Sequence, residues 1–449
     1  MTGGESEFSE IFVRVLLLRD YNTRLVVLST ALLGIAGGVV GSFLLLRKRA
    51  LMGDAIAHAT FPGVVAAFML LVLLGGDGRF LPWLLLGALA GGALGCVAVV
   101  WIRTATRIKD DAAMGIVLSV FFGGGVALFG MAQRMPGTSA AGLKSFLYGN
   151  TAAMVWGDFL LLAVSAVVVL VIALFFFKEL RLLCFDEAFA RAQGWPVRFL
   201  DGILLALAAG ITVVGLQAVG IILIIAMLII PAASARQWTH RFGWMLILAA
   251  ALGGASGWVG STVSALLPKA PAGAVIVLTA AAIFLVSLLA GSDRGLARRG
   301  WRARKLAQRV ERQHLLRAAF ELLEEQNADP RTTLVRWSDL ARRRSWTAHR
   351  LRRAATRAYN DALVNKPEAD GFQLSDRGWR EATRVTRNHR LWELYLIERA
   401  DIAPSHVDRD ADTIEHVLGP DLVRELERVM ARQGGGGGAP LPPSPHPLS

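Results

Sequence analysis

Two residues with metal-binding side chains lie four positions apart in an otherwise apolar stretch. Asp54 and His58 belong to the run GDAIAHATFPG, at the start of an apolar block. In a helix, this spacing places the carboxylate and the imidazole on one face. An ionisable group inside a membrane span is costly and usually faces a cavity or a partner, and this pair of ligands suits Mn(II), Fe(II) or Zn(II). The pattern indicates a metal site, although Asp54 could instead cap the helix while His58 bonds to neighbouring backbone.

The blocks around this pair are too apolar for a soluble protein. Hydrophobic residues make up 54% of the 449 residues, and the mean hydropathy is +0.47. One such block could be a buried helix of a large enzyme, but eight in series, each long enough to cross a bilayer, indicate a polytopic membrane protein. The predicted spans are Leu25–Leu46, Ala55–Leu74, Leu81–Ile102, Ala112–Met131, Met154–Phe177, Ile203–Ile230, Gly243–Leu267 and Gly273–Leu289.

One predicted span, Ile203–Ile230, is too long for a single crossing. It can kink, or break into a tight hairpin, at Gly215 or Gly220. The lysines and arginines of the loops collect on one side only if this block crosses twice, which favours nine spans over eight. The same rule predicts an N-terminus outside and a cytosolic C-terminal region, in a multi-pass protein of the inner cell membrane.

A long cytosolic loop within the membrane region has the pattern of a short helix. Glu187–Gln193 is an amphipathic stretch that Gly194 and Pro196 should end. It could be an ordinary interfacial helix, or a coupling helix that docks on a motor subunit. No G-x-x-x-x-G-K-[ST] loop occurs in the chain. If ATP drives the protein, a separate subunit must therefore hydrolyse it.

The chain divides into an apolar part and a charged part. Residues 25–292 form the predicted membrane domain, after an N-terminal segment at 1–24. A strongly basic linker at 293–310 is expected to be helical, and a second domain is expected at 311–433. Residues 434–449 contain a glycine run and prolines, which cannot bury enough apolar surface to fold, so this tail is predicted to be disordered.

Two segments of the second domain have the pattern of a helix-turn-helix. Trp337–Arg344 and His349–Leu363 are the predicted helices, and residues 365–375 are the predicted wing. The second helix is rich in arginine, as expected of a helix that contacts DNA. Beside a membrane, the same charge could contact anionic lipid. Arg350 and Arg353 are the first candidates for DNA contact.

Six stretches of the apolar region together carry a family resemblance. They are the GDAIAHATFPG run, DAAMGIV from Asp111, FLYGN from Phe146, the loop FDEAFARAQGWPVRFLD from Phe185, AVG from Ala218, and PAASAR from Pro231. Through them, the region Arg47–Ala290 resembles the permease family of zinc, manganese and iron ABC importers.

This resemblance implies roles for the residues already singled out. Asp54 and His58 would face the translocation path and meet the ion. Glu187, Ala188 and Gly194 match the loop pattern of the family and would form the segment that couples to an ATPase. The implied partners are a cytosolic ATP-binding subunit, an extracytoplasmic metal-binding protein, and a second permease, either identical or a sister subunit.

A second metal-binding pattern lies near the C-terminus. Asp412, Glu415 and His416 have the spacing i, i+3, i+4 and can converge on one helical face. With the stretch NHRLWEL, they resemble the iron- and manganese-dependent repressors related to the diphtheria toxin repressor. The resemblance adds His314 and His389 to the ligand set. Such oxygen and nitrogen ligands without thiolate favour Mn(II) or Fe(II) over structural zinc.

Two positions depart from the repressor pattern. Asp412 stands where some relatives have cysteine and others glutamate, and Asp408 stands where some have histidine. These departures weigh against a second site formed by Glu393 and Asp408. The alternative for the whole domain is a scaffold that has kept its shape and lost its metal.

These features predict an all-α polytopic membrane domain with eight or nine transmembrane helices, followed by a small cytosolic α+β winged-helix and helical dimerisation module. The expected function is that of the permease subunit of an ATP-driven importer of manganese, iron or zinc, with a metal-sensing tail. The chain is not expected to be an enzyme or to hold a permanent cofactor. Mn2+, Fe2+ or Zn2+ would be its substrate and a candidate tail ligand.

Three other functions remain open. A secondary metal transporter would leave the segment Glu187–Gly194 without a motor to engage. A membrane-tethered, metal-responsive DNA-binding regulator would not need nine spans. A vitamin or siderophore importer of related architecture would have no need of Asp54 and His58.

Overall fold

The structure is a computed structural model. It describes residues 19–76, 80–135, 151, 154–267, 270–329, 332–343 and 346–400, without the side chains of residues 343 and 394–400. The chain forms two compact units, residues 1–299 and 300–449. The FLYGN stretch, the predicted tail at 434–449 and most of the N-terminal segment lie outside the described residues.

The first unit is entirely helical over its described residues, and nine of its helices are long and apolar enough to cross a membrane. The nine-span prediction is thus confirmed. A helix suits a bilayer because it satisfies its backbone hydrogen bonds internally. The helices are α1 Tyr21–Leu46, α2 Met52–Leu73, α3 Leu81–Ala105, α4 Asp110–Ala132, α5 Trp156–Phe175, the short α6 Phe177–Phe185 and α7 Glu187–Ala192, α8 Val197–Val219, α9 Ile221–Trp238, α10 Phe242–Leu266 and α11 Ala272–Ala290.

The predicted double span breaks at Gly220. This residue separates α8 from α9 and has φ +84°, a left-handed conformation that glycine adopts at little cost. Gly215, the other predicted break, stays inside α8. The two helices extend beyond the predicted block at both ends, because Val197–Ile203 and Pro231–Trp238 continue them with less apolar residues.

Helix α1 is the most buried of the spanning helices and packs against α10 through small residues. A Cβ atom at Gly34 would lie 2.1 Å from the carbonyl oxygen of Gly253, so the two backbones touch. The hydroxyl of Thr30 donates to the carbonyl oxygen of Gly257 at 3.1 Å. Small residues permit such close approach between membrane helices. The end of α1, where Arg47 lies, is therefore held on a rigid element.

The second unit combines helices with one short pair of strands. Its elements are α12 Leu296–Glu325, which begins just before the unit, β1 Val335–Arg336, α13 Trp337–Arg343, α14 Ala348–Asn360, β2 Gly371–Phe372 and α15 Asp376–Ala400. The strands are antiparallel, with Val335 opposite Phe372. Leu316, Phe320, Leu351 and Phe372 belong to one buried core.

The segments predicted as a helix-turn-helix form α13 and α14. The hydroxyl of Thr347 accepts a hydrogen bond from the backbone of Arg350 and caps α14. The segment predicted as a wing contains β2 and a bridge between Val364 and Leu374. The basic linker is helical from Leu296 onward, as predicted, and it continues without interruption into the second unit.

Candidate functional site

Helix α2 brings Asp54 and His58 together in its first turns. Asp54 Oδ1 lies 3.3 Å from His58 Nε2, and about a quarter and a fifth of the two side chains are exposed. Leu51, not Asp54, is the N-cap residue of α2, so the alternative in which Asp54 caps the helix does not describe this contact. Two ligand atoms each about 2.1 Å from one ion are about 3.3 Å apart at a near-tetrahedral angle. The pair can therefore reach a single metal ion.

The other ring nitrogen of His58 has no bonding partner within the described part of the chain. Nδ1 is buried, and the ring meets Phe122 of α4 edge-on, with 4.9 Å between centroids. A buried polar atom without a partner requires an explanation such as an unobserved ligand or water. This environment does not fit the alternative in which His58 bonds to neighbouring backbone.

The pair alone does not complete a metal site. In the residues that the structure describes, no group of three or more His, Cys, Asp or Glu side chains could hold a metal ion. An ion that meets Asp54 and His58 would need water or ligands from elsewhere to fill its coordination shell. A metal site with few protein ligands is better suited to transient binding of an ion than to its storage.

The short helix predicted at Glu187–Gln193 is present as α7, and its coupling role stays a prediction. The Asp186 carboxylate accepts a hydrogen bond from the backbone N–H of Phe189 at 2.8 Å and caps the helix. Gly194 then turns the chain at φ +82°, a value that glycine accepts readily. Within this segment, Ala188 is exposed, and Glu187 is partly buried and pairs with a neighbouring arginine.

Glu187 belongs to a charge network that joins α7 to two spanning helices. Arg47, which follows α1, donates to Glu187 Oε2 at 2.9 Å and to Asp201 Oδ1 of α8 at 2.9 Å. Arg49 donates to the second oxygen of Asp201 at 3.0 Å. The two arginine side chains are only 9% and 7% exposed. Arg191 completes the network by pairing with Glu187.

The network fixes the charge states of its members. The hydrogen bond from Arg47 holds the pKa of Glu187 below its ordinary value. Burial alone would lower the pKa of Arg47, but the carboxylates of Asp201 and Glu187 outweigh it and raise that pKa. Both groups therefore stay ionised at neutral pH, and α7 remains tied to the ends of α1 and α8.

Sequence reasoning did not find this network. It treated Arg47 and Arg49 only as positive charges beside a span, and it assigned no role to Asp201. The signal that was present is an acidic residue near the start of an apolar helix, where a charge needs a partner. That partner lies more than 150 residues away in the chain, so only the fold identifies it.

Several aromatic side chains around α7 remain exposed. Phe189 lies on the helix itself, and Phe185, Trp195 and Phe199 lie on the segments that flank it. Exposed apolar groups can mark an interaction surface. These four residues, Phe185, Phe189, Trp195 and Phe199, are called the aromatic surface around α7.

In the second unit, both ring nitrogens of His389 are engaged. Arg317 Nη1 donates to Nδ1 at 2.6 Å, and since a guanidinium can only donate, Nδ1 is the acceptor. Nε2 therefore carries the proton and donates to Glu393 Oε1 at 3.0 Å. All three side chains are buried. His389, a predicted metal ligand, is thus engaged by Arg317 and Glu393 in this structure, and its role as a ligand stays a prediction.

Of the other predicted tail ligands, only His314 belongs to the residues that the structure describes. His314 lies on α12, and its ring meets Trp346 edge-on with 6.5 Å between centroids. Asp412, Glu415 and His416 lie outside the described residues. The role of these residues as metal ligands stays a prediction.

The two arginines predicted to contact DNA differ in their surroundings. Arg350 is paired with Glu311 of α12 at 2.9 Å and lies over the ring of Trp346. Arg357 pairs with the other oxygen of Glu311 at 3.1 Å. Arg353 is exposed on α14. Arg350 thus contributes to the fold of the second unit.

Two family models match the chain. The model described as the ABC 3 transport family matches residues 19–291, which include all nine spanning helices. The model described as the iron dependent repressor, metal binding and dimerisation domain matches residues 375–432. The first match covers more than half of the chain, and the second covers α15 and the predicted ligands that follow it.

Named relatives and a solved structure agree with these matches. The manganese transport system membrane protein MntC of Bacillus subtilis is 38% identical over 393 residues, 88% of each chain. The zinc transport system membrane protein TroC of Treponema pallidum is 42% identical over 65% of this chain and 96% of its own length. In the structure of PsaBC from Streptococcus pneumoniae with Fab, the matching chain has a TM-score of 0.54, 33% identity, and coverage of 64% of this chain and 97% of its own.

Proposed function

The chain belongs to the ABC 3 transport family, and on this premise we propose that it is the permease subunit of an ATP-driven importer of manganese or zinc. The observation that carries the metal assignment is the contact between Asp54 and His58, which places an oxygen and a nitrogen ligand at one point of a spanning helix. Relatives named for manganese and for zinc transport support the same cargo. Iron remains within the chemistry of the pair.

A metal panel in cells tests this proposal. The chain, expressed with its partner subunits in a host without its own manganese and zinc importers, should restore accumulation of one of these metals. Magnesium, which prefers an octahedral oxygen shell, should not accumulate. Restored growth with no increase in the cellular content of manganese, zinc or iron would contradict the assignment.

The partners are proposed from the activities that an ATP-driven importer needs in addition to a permease. It contains no phosphate-binding loop, so we propose that a cytosolic ATP-binding subunit supplies the energy. An extracytoplasmic metal-binding protein would deliver the ion, and a second permease, identical or sister, would complete the path. The PsaBC match supports the architecture of the membrane domain.

We propose that the ATP-binding subunit docks on the aromatic surface around α7. Phe189→Ala should weaken binding of that subunit about tenfold or more, because a buried aromatic anchor dominates an interface. Co-purification with the ATPase is the measurement. Phe80→Ala is the matched control, since Phe80 is as exposed but lies in a loop predicted to be on the opposite side of the membrane. Equal retention of the ATPase by the Phe189 variant and wild type would move the contact elsewhere.

Glu187→Lys should also reduce both co-purification and transport-stimulated hydrolysis. The reason is indirect, because the new ammonium would face Arg47 and break the network that holds α7 in place. We therefore expect Glu187→Lys to impair the coupling segment as a whole, whereas Phe189→Ala removes only a contact. A Glu187→Lys variant that binds and stimulates the ATPase normally would show that the network is dispensable.

For the second unit, we propose a cytosolic winged-helix and metal-sensing domain. Support comes from α13 and α14 beside a pair of short strands and from the match to the repressor domain. The 393 residues aligned with the Bacillus subtilis protein exceed the 299 residues of the first unit, so that relative shares part of the second. The proposed ligands are Asp412, Glu415 and His416, with His314. His389 would join them only if it exchanged Arg317 for the metal.

Metal in the cytosol should reduce import through this domain. In vesicles loaded internally with Mn2+, wild-type uptake should fall about fivefold or more, the lower range of an allosteric coupling. His416→Ala should abolish the reduction without changing uptake into empty vesicles. A variant that is inhibited as strongly as wild type would leave the domain as a scaffold. Binding of metal by the full chain without any change in uptake would favour a DNA-binding role, with Arg353 the first residue to test.

A further inference from the structure

The first half of α12 carries a basic stripe that neither the permease nor the sensing role uses. All side chains from Leu296 to Arg309 are exposed. Within and just beyond them, basic residues recur at alternating spacings of four and three, which places them on one helical face. No aspartate or glutamate occurs from Arg294 to Val310. The basic stripe consists of Arg298, Arg302, Lys305, Arg309 and Arg312.

Part of this stripe forms one wall of a groove in the second unit. The groove has a volume of about 580 Å³, and Arg357 and Asp361 at the end of α14 lie on its other wall. Its two acidic residues are already neutralised, because Asp361 pairs with Arg312 and Glu311 pairs with Arg357. Arg302, Lys305 and Arg309 form no ion pair with any described residue.

We propose that this groove binds the phosphate groups of anionic phospholipids. Three cations without a close ion-pair partner among the described residues lie on one helical face, although Arg309 interacts at longer range with Glu381. Such a face attracts a surface with a high density of negative charge. The groove is large enough for a phosphate-bearing headgroup, and its arginines can hold phosphate oxygens through paired N–H donors.

The connection to the last spanning helix favours a membrane surface over nucleic acid. Only Gly291–Gly295 separates α11 from α12. This short link is fixed, because the hydroxyl of Ser292 donates to Trp238 O at 2.6 Å and the backbone of Asp293 donates to Gln237 O at 3.2 Å. The basic stripe therefore begins within a few residues of an anchored membrane helix.

Exposed apolar side chains between the basic residues favour the same partner. Trp301 is 61% exposed, and Leu296 and Leu306 are about half exposed. The ammonium of Lys305 lies 5.1 Å from the ring centre of Trp301. Tryptophan beside Lys and Arg is typical of segments that lie at the headgroup region of a bilayer. DNA phosphates would leave these apolar groups without a contact.

The test uses the full-length chain in nanodiscs of neutral lipid or of neutral lipid with about 30 mol% phosphatidylglycerol. Amide hydrogen exchange of α12 is the readout. We expect exchange over residues 298–312 to slow at least tenfold with the anionic lipid, and this protection to disappear at about 1 M salt because the charges are then screened. Equal rates of amide exchange over residues 298–312 of the wild-type chain in the two lipids would overturn the proposal.

Two charge-matched variants separate the groove from bulk charge. Replacing Arg302, Lys305 and Arg309 with glutamine, which keeps helix propensity, should abolish the lipid-dependent protection, because each basic residue near the surface contributes about fivefold to lipid affinity. Replacing the exposed Arg352, Arg353 and Lys366 with glutamine should leave it intact.

Two outcomes would overturn the proposal for the groove. Equal loss of protection in both variants would mean that only net charge matters. Binding of a fluorescent DNA duplex that the groove variant loses, together with no effect of phosphatidylglycerol, would assign the groove to nucleic acid. Metal uptake is not part of the readout, so failure of the import assignment would not affect the result.

Discussion

Replacing Asp54 or His58 with alanine should reduce metal uptake at least about a hundredfold, while the amount of chain in the membrane stays unchanged. Loss of an outer contact at a metal site commonly costs 10–100-fold in affinity, and the loss of a direct ligand from a site with so few protein ligands should cost no less. The side chains contact each other and are partly exposed, and alanine favours the helix. Folding should therefore tolerate either change.

Matched controls exist at the ends of other spans. Asp110→Ala and His240→Ala remove the same kinds of side chain from exposed positions, and we expect both variants to transport normally. Asp54→Asn keeps the size of the side chain and removes its charge, and it should fail as the alanine variant does. Wild-type uptake by Asp54→Ala or His58→Ala at equal abundance would remove the pair from the translocation path.

Asp201→Asn should uncouple ATP hydrolysis from transport. The change removes the carboxylate that two nearly buried arginines share. Breaking a buried ion pair from one side commonly costs about 3–5 kcal/mol, so we expect the ends of α1 and α8 and the coupling helix to lose their fixed arrangement. Arg47 precedes the turn that leads into α2, the helix of Asp54 and His58. Hydrolysis should continue while uptake per ATP falls about tenfold or more.

The measurement is the number of metal ions imported per ATP hydrolysed in reconstituted vesicles. Glu187→Gln, which leaves Asp201 bound to both arginines, should show a smaller loss than Asp201→Asn. Asp158→Asn is the control, since Asp158 also lies near the start of a span but contacts Gln217 of α8 rather than the coupling segment. An unchanged ratio in Asp201→Asn would show that coupling does not pass through the network.

The membrane architecture was accessible from sequence for a physical reason. A bilayer requires long apolar helices and sets their orientation by loop charge, so hydropathy and the positions of lysine and arginine were enough to favour nine spans. The boundaries were less accurate, because α8 and α9 begin or end in residues that are less apolar. The contact between Asp54 and His58 was also predictable from sequence, because side chains at positions i and i+4 lie next to each other in any helix.

The networks between distant segments could not be predicted. Arg47 and Asp201 meet only because α1 and α8 pack side by side. Arg317 and His389 meet because α12 and α15 do. An arginine in a charged helix gives no sign that it will be buried, so the contact between Arg317 and the ring of His389 could not be predicted. In both networks, the partner is decided by tertiary packing and not by local pattern.

The most direct test of the import assignment is ATP-dependent uptake of radioactive manganese and zinc into vesicles. The vesicles contain the purified permease, its ATP-binding subunit and its metal-binding protein. We predict saturable accumulation of one or both ions. This accumulation should require ATP on the side of the membrane where the ATPase lies, and it should disappear in the Asp54→Ala variant. Accumulation that proceeds without ATP and follows an imposed ion gradient would contradict the account and identify a secondary transporter.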